Sequence, residues 1–163
     1  MRHALRLVDD SFLETAPIVV RAEVDLDAPA GAVWNALASD RMWSWFPGID
    51  RLRWLTPRPL EVGCVRRLRI ARLLEVEEEF YRWDKDRRAT FRVTKATLPI
   101  LSALVEDFEL DPLGPLASRT HLTWTMAIEP ARGKRLPLGW LAPLLRPGNT
   151  RMIRGIRGLV AEA

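Results

Sequence analysis

Residues 18–27, IVVRAEVDLD, alternate without a break: Val20, Ala22, Val24 and Leu26 on one side, Arg21, Glu23, Asp25 and Asp27 on the other. A side-chain period of two marks a strand buried on one face only. Asp27-Ala28-Pro29 then opens a helix, with Pro29 near the first helical position, where its missing N–H costs nothing. That helix carries Val33, Trp34 and Leu37 to about Ala38. Asp40 can cap a second short helix through Trp43, Trp45 and Phe46, which Pro47-Gly48 ends.

Downstream the pattern turns to β. Strands are expected near 49–55, 64–71, 73–83, 88–97, 103–111 and 119–129, with polar turns at Asp84-Lys85-Asp86 and around Pro112–Ser118. Strands joined this closely form an antiparallel meander. A proline-broken apolar stretch, Leu136 to Pro147, leads to a final helix over 148–162. Met152, Ile153, Ile156, Leu159 and Val160 share one arc of that helix, while Arg151, Arg154 and Arg157 lie opposite. Gly155 and Gly158 fall on the polar side. The order is β-α-α-β-β-β-β-β-β-α, an α+β domain with helices on one face of a curved sheet.

The 163 residues (18.6 kDa) amount to a single domain over 1–163, with residues 1–16 as an extension the pattern does not place. Hydrophobic residues make up 48% and charged residues 28%, a globular balance that excludes disordered and fibrous classes. The lone cysteine, Cys64, excludes an internal disulfide, and with only His3 and His121 it supplies no zinc cluster. No apolar run spans a bilayer, and Asp9-Asp10 arrive before any signal-peptide core develops, so a cytoplasmic setting is expected.

The net charge of +4 divides unevenly. Residues 1–131 carry 18 basic and 20 acidic groups; residues 132–163 carry seven basic groups and one acidic. A basic C-terminal segment suits transient contact with an anionic membrane surface. Nucleic acid is not expected, because no stacking aromatics interleave with these arginines. The sequence is compatible with a monomer or a homodimer.

The segment Ala28-Pro29-Ala30-Gly31-Ala32-Val33-Trp34 after a strand resembles the opening of the START-like (SRPBCC) superfamily. Asp40 to Gly48 (DRMWSWFPG), Val62-Gly63 before a strand and Ser118 to Trp124 (SRTHLTW) extend the resemblance over roughly residues 18–160. That superfamily includes polyketide cyclase/dehydrases, lipid-transfer START domains and birch-pollen-type allergens. The resemblance implies the helix-grip fold: a seven-stranded antiparallel sheet wrapped around a long C-terminal helix, two short helices after the first strand, and a ligand cavity between sheet and helix.

Pairing decides what lines such a cavity. A turn near Arg72 sets Arg66 opposite Glu78, Leu68 opposite Val76 and Cys64 opposite Phe80. A turn at Asp84–Arg87 sets Phe80 opposite Phe91 and Glu78 opposite Val93. The last hairpin sets Leu110 opposite Thr120, Phe108 opposite Leu122 and Glu106 opposite Trp124. Cys64, Arg66, Leu68 and Ile70 are more apolar than their alternates and so face inward, with Glu78, Phe80, Phe91, Val93, Glu106, Phe108, Leu122, Trp124 and Met126. A one-residue bulge inverts such an assignment.

Arg66, Glu78, Glu106 and Lys95 are thus charged groups at inward positions, and such groups are paired, near the mouth, or kept for a ligand. Two readings stand: a self-satisfied Arg66–Glu78 pair, or Arg66 donating to a ligand carbonyl or carboxylate. The ligand-binding set is Trp45 and Phe46 beside the entrance, Arg66, Leu68, Ile70, Phe80, Phe91, Val93, Phe108 and Trp124 on the sheet, and Met152 and Ile156 on the last helix. Trp34 is expected in the core, Trp54 and Trp83 at the sheet surface or edge, and Tyr81 and His121 outward. Of the acidic run Glu75, Glu77, Glu78 and Glu79, three lie on the solvent face opposite arginines such as Arg67 and Arg69, a solvated ladder rather than a metal site.

No phosphate loop, HExxH, GxSxG or CxxC motif is present, and Cys64 has no neighbouring base. The expected function is a carrier that holds an apolar small molecule, a lipid or polyketide-like compound, without metal or cofactor, in a cavity of at least about 300 Å³. The alternative is a cyclase/aromatase-type enzyme in the same cavity, with Arg66 polarising carbonyls and Glu78 or Glu106 as base.

Overall fold

A computed structural model describes residues 2–46, 48–132 and 151–161, with the side chains of 151 and 152 outside that description. The elements run β1 (His3–Ala4), α1 (Phe12–Thr15), β2 (Ile18–Leu26), α2 (Ala30–Leu37), β3 (Ile49–Trp54), β4 (Val65–Ile70), β5 (Leu74–Asp84), β6 (Arg88–Ala96), β7 (Leu101–Leu113), β8 (Arg119–Pro130), α3 (Arg151–Arg154) and α4 (Ile156–Ala161). Among the described residues eight strands form one curled antiparallel sheet, seven of them in the order β2-β8-β7-β6-β5-β4-β3 and β1 paired beside β6. All seven expected strands are present. The opening alternation is realised in full, since Val20, Ala22, Val24 and Leu26 are buried.

The first two hairpins keep the expected registers: Arg66 pairs with Glu78, Leu68 with Val76, Phe80 with Phe91 and Glu78 with Val93. The last hairpin is shifted by two residues. Leu110 lies opposite Leu122, Phe108 opposite Trp124 and Glu106 opposite Met126, because β7 runs on to Leu113 and the turn is confined to Gly114–Ser118. A shift of two preserves parity, so every inward residue of that hairpin stays inward. Bulges do change parity. One between β5 and β6 falls at Thr94 and turns Lys95 outward onto Glu77 at 3.1 Å, correcting its inward assignment. A second, at Tyr81, swings Trp83 to the inner side, where it meets Trp34 at 4.8 Å and Phe80 at 5.1 Å between ring centres. Trp54, also expected at the edge, lies 5.1 Å from Phe80. Both tryptophans are therefore half-buried core residues.

The expected second helix over 40–46 is instead a series of tight turns. Ser44 N–H reaches the Arg41 carbonyl and Phe46 N–H the Trp43 carbonyl. Trp43 has φ 67°, a left-handed value that stops helix propagation. Burial of its indole, 5.4 Å from Trp124, compensates for that conformation.

The N-terminal extension acquires a place that its sequence does not indicate. β6 and β7 pair only from Arg88 to Arg92, and beyond that β1 pairs with Lys95 and Ala96. Leu5 N–H bonds to Thr94 and Arg6 N–H to Ser102, so the segment fills the gap between the diverging strands. It continues over the outer face, where Val8 and Phe12 bury Ala103, Val105 and Ala127. Asp10 accepts from Tyr81 Oη and pairs with Arg82.

At the other terminus the described helical residues form two short pieces, Arg151–Arg154 and Ile156–Ala161, in place of one uninterrupted helix over 148–162; positions 148–150 and 162 lie outside the described residues. Ile153, Ile156 and Leu159 are buried in the main core, α3 lying against β2 and α4 against α2. The break is at Gly155. A Cβ there would stand 2.0 Å from Trp45 Cδ1, so the indole packs directly on the backbone and Gly155 is not on a free polar face. Gly155→Ala is expected to lose about 1–3 kcal/mol in urea unfolding, as overpacked sites do. A Trp45→Leu background, which makes room for the methyl, should shrink that loss.

Candidate functional site

The concave face divides into two halves. At one end Trp34, Trp83, Trp54, Phe80, Phe91, Phe108, Trp124 and Trp43 form an unbroken array, successive ring centres 4.7 to 6.4 Å apart, with Phe108 stacked on Trp124. These rings pack against one another and leave little space. At the other end the inward residues are aliphatic, and there the sheet leaves a cavity. Leu68, Ile70, Leu74, Val76, Val93, Leu104, Met126 and Ile128 form its walls, Phe46, Ile49, Ile100 and Leu101 its partly exposed rim, and Trp43 and Trp124 its floor. Its enclosed volume is about 80 Å³, within about 730 Å³ of atom-free space counted out through the mouth. The enclosed part is thus well below the 300 Å³ expected.

The charged groups lie at the seam between the halves. Arg66 is 1% exposed and its Nε donates to Glu78 Oε2 at 2.7 Å. Its guanidinium carbon sits 5.0 Å from the Phe80 and Phe91 ring centres and 5.4 Å from Trp54, a cation–π surround that replaces part of the lost hydration. The Arg66–Glu78 ion pair is therefore present, without satisfying the whole guanidinium. Arg66 does not line the main cavity. It borders a void of about 10 Å³ among the aromatic rings, room for one water at most, and its Nη2 has no hydrogen-bond partner among the described residues.

Glu78 and Glu106 both line the main cavity. Glu106 Oε2 accepts from Trp124 Nε1 at 2.8 Å, a neutral donor. Burial, reinforced by the negative charge of Glu78 and only partly offset by Trp124 and Arg66, pushes the Glu106 carboxyl up to about 8. Burial also raises Glu78, against the pull of Arg66. One cation faces two carboxylates in an apolar wall, so the cluster holds a proton at neutral pH. The proton belongs on Glu106, because Glu78 has the charge-assisted bond to the guanidinium.

Of the twelve residues expected to bind ligand, Phe46, Leu68, Ile70, Val93 and Trp124 line the cavity. Phe80, Phe91 and Phe108 are buried in the aromatic array, one row away, Trp45 packs on Gly155, and Ile156 is core. The Met152 side chain lies outside the described residues. Val76, Leu104 and Ile128 belong to the wall and were legible from the same alternation; Ile49, Ile100 and Leu101 come from strand ends and a loop, where no period marks them.

The remaining titratable groups are outward or inert. Burial pushes the Cys64 thiol up to about 11, the reverse of what a nucleophile needs. His121 points outward and shares Nδ1 with Asp25 at 2.6 Å. Glu75, Glu77 and Glu79 pair on the outer face with Arg2, Arg67, Lys95 and Arg92. No three His, Cys, Asp or Glu side chains among the described residues come together as a metal cluster, and no described helix is long and apolar enough to cross a membrane.

A curled antiparallel sheet closed over an apolar cavity is the architecture of START-type proteins. The chain belongs to the polyketide cyclase/dehydrase and lipid transport family, whose model matches residues 17–163. It is 32% identical over 148 residues to an uncharacterised protein of Mycobacterium tuberculosis, covering 90% of this chain and 87% of that one. Among solved structures it resembles a START superfamily protein from Mycobacterium smegmatis (TM-score 0.68, 15% identity, 88% and 97% of the two chains). It also resembles the Zhui aromatase/cyclase from Streptomyces (TM-score 0.59, 19% identity, 88% and 86%).

Two outcomes follow from the charge cluster. Arg66→Met strands the Glu78 carboxylate and should destabilise the protein by about 3–5 kcal/mol, whereas Arg66→Met with Glu78→Leu should recover most of that loss. The second concerns pH. Folded Glu106 keeps its proton up to about 8, while the unfolded chain releases it near 4.5. The folded state then binds more protons than the unfolded one, so the stability this group contributes is fully present below that window and is lost as pH rises through it. Urea denaturation across pH 4–9 should show this slope in the wild type and a flatter one in Glu106→Gln.

Proposed function

We propose that the protein is a carrier for an apolar small molecule, held with one end in the aliphatic cavity and the rest at its mouth. The observation that supports this most directly is the aliphatic half of the concave face, left unfilled by the described residues beside an aromatic half that is closely packed. Core side chains normally fill such space to crystal-like density, and a void lined by Leu, Ile, Val and Met forfeits dispersion contacts unless something enters it. The enclosed 80 Å³ is smaller than the common range for whole-ligand pockets. It accommodates a ring or a short chain segment while the ligand body rests among Phe46, Ile49, Ile70, Ile100 and Leu101.

The rim also suits entry of an apolar molecule. Leu73 and Leu98 are exposed by 74% and 38%, and their loops are joined by the Thr97 hydroxyl, which donates to the Leu73 carbonyl at 3.1 Å. Transient docking at an anionic membrane through the basic C-terminal segment belongs to this proposal, with Arg154 and Arg157 exposed on α3 and α4.

A cyclase-type reaction is the second reading. It is favoured by the two glutamates on the cavity wall and by the fold shared with the aromatase/cyclase. Native mass spectrometry of protein purified from its own host, followed by extraction, tests both. Near-stoichiometric co-purification of an unaltered apolar molecule supports the carrier; its chemical conversion during incubation supports the enzyme. Leu104→Trp, which fills the cavity, should abolish co-purification. If the bound molecule persists at the same occupancy in that variant, it is held elsewhere and the cavity reading fails.

A further inference from the structure

Among the described residues both charged groups on the cavity wall are acidic. The described lining contains Glu78 and Glu106 and no basic side chain, while the cation that neutralises one of them, Arg66, is sealed behind the wall among Trp54, Phe80 and Phe91. The carboxylates are not equivalent. Glu78 is engaged by Arg66 Nε at 2.7 Å; Glu106 receives a single neutral bond from Trp124, and its other oxygen takes no hydrogen bond among the described residues. A protonated carboxyl carries one O–H donor, and among the described residues no acceptor satisfies it.

We propose that Glu106 is the polar recognition group of this site, a neutral carboxylic acid that donates a hydrogen bond to the carbonyl oxygen of an otherwise apolar ligand. The proposal rests on the cavity being the ligand site. It assigns the ligand class as neutral, carbonyl-bearing molecules such as ketones, and it excludes free carboxylic acids. A fatty-acid carboxylate would meet two acidic groups with the compensating guanidinium out of reach. Glu106 is half-buried, and a plain hydrocarbon would cover its O–H without offering an acceptor, which is costly. A ketone satisfies the donor without bringing a charge into the apolar wall. The ionised form of Glu106 has no O–H, so recognition is present below about pH 8 and lost above it. Among the described residues the charged groups acting on Glu106 are Glu78 of β5 and Arg66 of β4. Its remaining neighbours are uncharged: Trp124 and Met126 on β8, and Phe91 on β6.

Three small probes of similar size separate the terms: acetophenone, ethylbenzene and benzoate, titrated into the full-length protein by calorimetry between pH 6 and 9. At pH 6 acetophenone should bind roughly 3- to 10-fold more tightly than ethylbenzene, the worth of one net hydrogen bond, and benzoate should not bind. The infrared carbonyl band of bound acetophenone should move to lower wavenumber, a signature that a merely structural Glu106 would not produce. Raising the pH to 9 should erase both the preference and the band shift in the wild type. Glu106→Gln, which keeps an N–H donor, should retain the preference at every pH. Glu106→Leu should lose it; if that variant does not fold, the wild-type band and the glutamine variant still decide.

Equal binding of acetophenone and ethylbenzene with an unshifted carbonyl band overturns the proposal and leaves the apolar cavity reading intact. Tighter binding of benzoate than acetophenone overturns it as well, by showing a cationic site. If none of the three binds, the cavity reading itself falls, and this inference with it.

Discussion

A guanidinium removed from water must be neutralised where it stands, and Arg66 is almost wholly removed. Its pairing with Glu78 across β4 and β5, inside a surround of three aromatic rings, sets the layout of the concave face. The rings that shield the cation belong to the continuous array that fills one end of the curved sheet. Glu106 lies on β7, directly across from Phe91 of β6, where that array gives way to aliphatic residues. Packed core, charge cluster and cavity are consecutive rows of the same inward-facing alternation.

This arrangement separates a structural ion pair from a ligand-facing acid. Buried pairs are weak evidence for stability, because desolvation cancels much of their attraction, but a cluster with one cation and two carboxylates has a further property. Its charge cannot balance without a proton. The protein therefore presents to its cavity a carboxyl that is neutral in the pH range where ordinary carboxylates are ionised. It does so through burial and the negative charge of a neighbouring glutamate, against the opposing pull of the Trp124 indole and Arg66.

The N-terminal segment stabilises the same sheet from outside. Residues 3–6 fill the gap where β6 and β7 diverge, and Val8 and Phe12 cover Ala103, Val105 and Ala127, which would otherwise leave apolar surface open on the convex face. The family match begins at residue 17, after this strap. It closes the region of the sheet whose inner side carries Val93, Leu101 and Leu104, so it backs the cavity wall directly.

Alternation alone was enough to place the seven strands and, away from the bulges, the inward face of β2 and of the three hairpins, because a period of two is a property of the backbone and a two-residue register error leaves it unchanged. It was enough, too, for the Arg66–Glu78 pairing, since a short turn near Arg72 dictates that register. What tertiary structure alone decided is whatever depends on a single inserted residue or on packing at a distance. The bulges at Thr94 and Tyr81 reversed Lys95 and Trp83, and no local signal in these strands announces them. The left-handed Trp43 replaced a helix with turns because burial against Trp124 outweighs local propensity. Gly155 broke the last helix because Trp45, over a hundred residues away in sequence, occupies the space a side chain would need. The division of one inward face into a solid aromatic half and a hollow aliphatic half also belongs to the fold, since periodicity reports which way a residue points but not whether its neighbours fill the space in front of it.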